Sequence, residues 1–133
     1  MELPLRRRIV EEATADRQRL DAEALNLVGL TRRAGRAVIG TKAVREAARR
    51  GTLSLALVSR DAGDNALSRV VPVFDATGTP WLLCGSHETL GQAIGRDRAV
   101  VIGIEDARLG RRMRQLLERE PARDVGPGGR QVR

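Results

Sequence analysis

Gly40 and Thr41 stand directly ahead of Lys42, Arg45 and Arg49, which are spaced three and four apart. On a helix that spacing lines one outward face. A glycine and threonine at the helix start add free backbone N–H groups, the positive dipole end and room for a close backbone approach. Together these are the means of holding an anion. The surrounding residues 25–51 contain seven bases (Arg32, Arg33, Arg36, Lys42, Arg45, Arg49, Arg50) and one acid, Glu46, a balance of +6 within a whole-chain net of +7. Nearly all the net charge in so short a stretch points to a polyanion-binding surface rather than to evenly spread solvation.

Other residues with reactive side chains form no comparable set. Cys84 and His87 have the spacing of half a zinc site, but each is the only residue of its type in the chain. A tetrahedral site needs further ligands. Cys84 ends an apolar run, where a thiol is usually a small buried hydrophobe, and His87 reads as a surface residue in a helical first turn. Glu105 and Asp106 sit at a helix start and read as capping and dipole compensation. Gly29, Gly35 and Gly40 are too widely spaced for a dinucleotide fingerprint, and no Walker-type phosphate loop is present. The expectation is a non-enzymatic protein with no metal and no cofactor.

Composition narrows the class. A chain of 133 residues suits one ordinary domain. Phe74 and Trp81 are its only aromatics, which argues against modules that stack bases on aromatic platforms. Lys42 is the only lysine among 24 basic residues; arginine's planar fork suits phosphates and base edges. One cysteine fits a reducing compartment, and no apolar run reaches the length of a signal sequence or membrane span. A soluble, cytoplasmic monomer with no membrane partner is expected.

The elements that position the basic residues follow from periodicity and caps. Residues 1–20 read as an N-terminal helical extension, 21–119 as the main domain, and 120–133 as a disordered Pro/Gly/Arg tail. Asp21 reads as the N-cap of a helix closed at Gly35, and Ala37, Val38 and Ile39 as a short strand. Thr41 reads as the cap of the next helix, which ends at Gly51. Residues 53–58 read as a strand buried on both faces and 99–104 as a further buried strand. A helix capped at Asp64 or Asn65 is expected to kink or break at Pro72. Residues 81–84 form a strand, and Ser86 and Asp106 cap the last two helices. Strands alternating with helices imply an α/β fold, a three-layer α/β/α sandwich with a small mixed sheet of about four strands.

Residues 25–51 (LNLVGLTRRAGRAVIGTKAVREAARRG), LSLALVSRDAGDN, TPWLLCGSHETLGQAIG and AVVIGI resemble the ribosomal L-seven-Ae/L-thirty-e family, closest to its bacterial, non-core members. The resemblance spans about residues 22–117, and GSHETLGQAIG is its most specific part. It implies an α/β/α sandwich that binds kink-turns in structured RNA, ribosomal or translation-associated, without catalysis. In that family the start of the second helix grips the bent RNA. Gly40 matches the family's glycine; Lys42, Ala43 and Glu46 stand where it has Asn, Glu and Lys. The implied interface is Gly40, Thr41 and Lys42 at the bend, Arg33, Arg36 and Arg45 on phosphate, and Arg96, Asp97, Arg98 and Ala99 as a second lip. The stretch GTKAVREAARRG also resembles the small substrate-binding domain of RNA ribose methyltransferases, of which this chain would be a non-catalytic relative. A third reading is a protein–protein adaptor using the arginine-rich last helix.

Overall fold

The computed structural model of the protein describes the backbone of residues 5–119 and the side chains of residues 14–119; the tail expected at 120–133 lies outside the described residues. The elements are α1 (Leu5–Arg33), β1 (Ala37–Ile39), α2 (Thr41–Arg50), β2 (Leu55–Val58), α3 (Asp64–Thr77), β3 (Trp81–Leu83), α4 (His87–Ala93), β4 (Val101–Ile104) and α5 (Ala107–Leu117). The strands form one mixed sheet in the order β1-β4-β2-β3. The parallel pair is β2–β3; β4 runs antiparallel to both β1 and β2.

β2 and β4 are central and buried throughout, as their unbroken apolar runs require. Alternation sends their side chains into two cores. Leu55, Leu57, Ile102 and Ile104 pack with Leu20, Ala24 and Val28 of α1, Leu90 of α4 and Met113, Leu116 and Leu117 of α5. Ala56, Val58 and Val101 pack with Val44 and Ala48 of α2 and Val70 and Phe74 of α3. The sheet is therefore sandwiched between two helical layers, the expected three-layer arrangement. Trp81 lies 6.4 Å from Phe74, centroid to centroid, so both aromatic rings serve the second core.

Four local expectations need correction. α1 runs without interruption through residue 21, so Asp21 caps nothing; residues 17–25 are mostly good helix formers with no breaker among them. The N-cap of α2 is Gly40, which makes no side-chain cap bond, and Thr41 is the first helical residue. Gly63 occupies the cap of α3, leaving Asp64 in the first turn, where a carboxylate favours the dipole. α3 also continues through Pro72 to Thr77. Pro72 and Ser68 are exposed, so water can satisfy the carbonyl that the proline leaves without a donor. Ser86 and Asp106 cap α4 and α5 as their spacing suggests, accepting from the N–H groups of Thr89 (3.1 Å) and Leu109 (2.8 Å).

Candidate nucleic-acid interface

The chain must turn from β1 into α2 within one residue. Gly40 does this at φ 100°, ψ 148°, a conformation essentially confined to glycine. Its carbonyl accepts the first helical bond, from Val44 N–H at 2.9 Å. Val44, Ala47 and Ala48 bury the inner face of α2, which turns Lys42, Glu46, Arg49 and Arg50 to solvent. With no side-chain cap, the first-turn N–H groups of α2 remain available.

The second wall comes from the segment after α4. Arg96 N–H donates to the Gly91 carbonyl (2.8 Å) and Ala99 N–H to the His87 carbonyl (2.9 Å), so the chain doubles back along α4. Gly91 makes this possible: a Cβ there would stand 2.6 Å from Arg98 Cα. The segment then enters β4, whose Ile102 pairs with Ile39. That register sets residues 96–101 beside Gly40. Between them lies an open cavity of about 260 Å³, lined by Ile39, Gly40 and Thr41 on one side and by Arg96, Arg98, Ala99, Val100 and Val101 on the other. Among the described residues, no carboxylate, histidine or thiol lines it.

Five of the expected interface residues thus meet: Gly40, Thr41, Arg96, Arg98 and Ala99. Lys42 is exposed one residue beyond the rim, and Asp97 is exposed on the loop without lining the cavity. Arg45, one turn along α2, is half-buried; its Nε is shielded from solvent and has no hydrogen-bond partner. Arg33 and Arg36 lie before β1, whereas Gly40 follows it. Arg36 Nη2 donates to the Glu105 carbonyl (3.1 Å) at the far end of β4, and Arg33 lies over Gly29 of its own helix. Arg32, absent from the expected set, reaches Gly95, its guanidinium carbon 3.6 Å from where a Cβ would sit. Nothing in local sequence distinguishes it from Arg33.

The neighbouring ends of β2 and β3 are closed by acids. Asp21, buried on α1, accepts from Arg60 Nε (2.8 Å) and Nη2 (2.9 Å) and from Gly85 N–H (2.9 Å). The hydrogen bond that Arg60 donates to Asp21 raises the Arg60 pKa above its ordinary value. Asp61 accepts from His87 N–H (3.0 Å) and lies 2.6 Å from His87 Nδ1. That side-chain bond holds the Asp61 carboxyl below its usual range. Cys84 is buried and its thiol is pushed up to about 12 by desolvation, then by the nearby Asp21 charge. Cys84 and His87 therefore face different surroundings and share no site. One sequence signal did exist for Asp21: it falls in the helical stripe of Ala24 and Val28, where a carboxylate must find a partner.

No family model matches the chain. A solved structure of a protein of unknown function from Bacillus halodurans is 32% identical, with a TM-score of 0.70, covering 74% of this chain and 99% of that one. The chain belongs to the same family as that protein. Within the curated proteins, the RNA-binding protein YlxQ of Bacillus subtilis is 28% identical over 92 residues, 69% of this chain and 92% of YlxQ. The Giardia lamblia 15.5kD RNA binding protein superposes with a TM-score of 0.65 at 22% identity, covering 74% of this chain and 85% of that one; at that identity the likeness concerns the fold. Among the described residues, no helix is long and apolar enough to cross a membrane.

Proposed function

We propose that this chain is a non-catalytic RNA-binding protein that receives a bent segment of structured RNA, of the kink-turn kind found in ribosomal RNA, between the start of α2 and the 96–99 loop. The observation that carries this reading is the shared cavity: two segments more than fifty residues apart converge so that Gly40 and Thr41 face Arg96 and Arg98. YlxQ, named as an RNA-binding protein, supports it from outside the structure.

The chemistry is that of phosphate approach. Gly40 has open space where a Cβ would be, so a sugar–phosphate backbone meets no side chain there. The free N–H groups of α2 and its dipole favour a phosphate oxygen. Lys42, Arg96 and Arg98 add cations around the rim, and none has a hydrogen bond or ion pair from its side chain among the described residues. Lys42 is a compact point charge suited to phosphate rather than to paired contacts with a base edge. Phe74 and Trp81 are engaged in the core, so binding here does not use stacking on aromatic rings.

Three phosphate contacts give log affinity a slope of roughly −2 to −3 against log salt. Titration with a kink-turn RNA and an unbent duplex of matched length, each at two salt concentrations, tests the reading. Tighter, salt-dependent binding of the bent RNA is expected. Equal affinity for both would overturn the kink-turn part, and binding of neither would overturn RNA altogether.

A further inference from the structure

We infer that the outward face of α5 is a second RNA contact, gripping the phosphates of a segment flanking the bend. This rests on the RNA-binding reading above but uses different residues. α5 carries four arginines and no acid. The abundance of arginine in the chain does not explain this, because exposed helices differ. α3 carries Arg69 against Asp64 and Asp75, a balance of −1. Gly110, Met113, Leu116 and Leu117 bury the opposite face of α5, so its arginines are held at a fixed orientation to the sheet. Arg114 spans 3.6 Å to Glu118. Arg108, Arg111 and Arg112 are exposed, and none has a hydrogen bond or ion pair from its side chain among the described residues.

The start of α5 is not the contact. Asp106 accepts from Leu109 N–H at 2.8 Å and fills that position with negative charge. What remains is the flank, where three arginines at spacings of three and four lie on one face. Arg111 and Arg114 also line a depression of about 340 Å³ with Ser54, Ala107, Gln115 and Glu118; Glu118 offsets Arg114 there, so the unpaired charge is that of Arg108, Arg111 and Arg112. An RNA fits this face better than a protein does. Stable protein interfaces have apolar or aromatic centres, whereas the large hydrophobics exposed among the described residues are Leu30 and Leu83, both on other elements. Unpaired guanidinium groups in a row match a phosphate backbone.

Topology makes the contact separable from the first. The cavity lies at the start of β4, whereas α5 begins just past its end, in the helical layer opposite α2. One strand of this length spans roughly 13 Å, so an RNA confined to the bend does not reach α5, while one with longer flanks does.

The test compares wild type with the triple variant Arg108→Gln, Arg111→Gln, Arg112→Gln. Two RNAs are titrated: a kink-turn with minimal flanks, and the same kink-turn with each flank extended by about one helical turn. Wild type should bind the longer RNA more tightly. The variant should bind the short RNA as wild type does, lose at least about tenfold on the long one, and show a salt slope there shallower by roughly 2. Replacing the same three residues by Lys should restore the slope. Because these side chains are exposed and unpaired among the described residues, thermal melting should match wild type. An unchanged long-RNA affinity in the variant overturns the α5 contact while leaving RNA binding intact. Wild type binding neither RNA defeats the underlying reading instead. A variant that keeps both RNA affinities but loses an acidic protein partner from nuclease-treated lysate also overturns the α5 contact.

Discussion

Two halves of one rim of the sheet are built oppositely. At the ends of β2 and β3, carboxylates hold the donors: Asp21 takes Arg60 and the Gly85 N–H, and Asp61 takes the His87 N–H and pairs with its ring. At the end of β1 and the start of β4, the N–H groups of α2 lack a side-chain cap, and the side chains of Lys42, Arg96 and Arg98 have no partner among the described residues. Neither half is short of cations. The difference is whether an internal anion reaches them. Where α1 and the segment after β2 supply carboxylates, the rim is a structural joint; where they do not, its positive side chains have no internal partner among the described residues, and these are the groups that the proposed RNA contact uses.

Removing the acid from the closed half should have the largest effect on the fold. Asp21→Ala leaves Arg60 and the Gly85 N–H without their acceptor. Breaking a fully buried pair costs roughly 3–5 kcal/mol. The Arg60 side chain retains 34% exposure, and water recovers part of that loss, so about 2–3 kcal/mol is expected from urea unfolding. A loss below about 1 kcal/mol would mean that the closed half is not the joint described here.

On the open half, Gly40→Ala should cost about 1–3 kcal/mol through backbone conformation alone, since its Cβ meets no atom within 4 Å. RNA affinity should fall by more than this loss of folded protein explains. Gly91→Ala probes the opposite wall, where the new Cβ would crowd the backbone of Arg98 and displace the 96–98 segment. Its expected signature is weaker RNA binding with a shallower salt slope, because Arg96 and Arg98 are moved off the phosphates they contact. Wild-type affinity in a folded Gly91→Ala protein would show that this wall takes no part.

The open half was far more legible in sequence than the closed one, and range explains why. Glycines, caps and apolar periodicity are local signals. They marked Gly40 as the approach point and β2 and β4 as buried strands, while the part of residues 96–99 as a second lip came from the family resemblance. The joint is built from partners 39 and 64 residues apart, which no local pattern relates. The misreading of Asp21 as a cap arose there: the residue type suits a cap, but tertiary partners had already engaged its carboxylate. Arg36 shows the same limit, since its acceptor lies 69 residues away. Proximity in sequence to Gly40 suggested proximity in space, and the intervening strand β1 separated them. Pro72 was misjudged for a different reason: exposure to water removes much of the penalty of an unpaired carbonyl.

Charge removal on the open half should be the smaller, cleaner effect. Lys42→Gln and Arg98→Gln should each leave stability within about 0.5 kcal/mol, weaken RNA binding several-fold, and flatten the salt slope by roughly 0.7–0.9. An unchanged slope for both would place the phosphates elsewhere.

The smallest effect belongs to the exposed pair on the closed half, and its sign is set by Asp61. Its carboxyl titrates below the ordinary value in the folded protein, chiefly because it accepts a hydrogen bond from His87. On acidification the unfolded chain therefore takes up this proton first. The stabilisation is complete above the ordinary carboxylate pKa and is lost as the pH falls through the lowered folded value. Asp61→Asn removes that linkage. Between pH 6 and pH 3, urea midpoints of the wild type should fall more steeply than those of the variant, with the two proteins differing most at the upper end. Parallel curves would show that the contact with His87 contributes nothing to the joint, and that Asp21 alone closes that half of the rim.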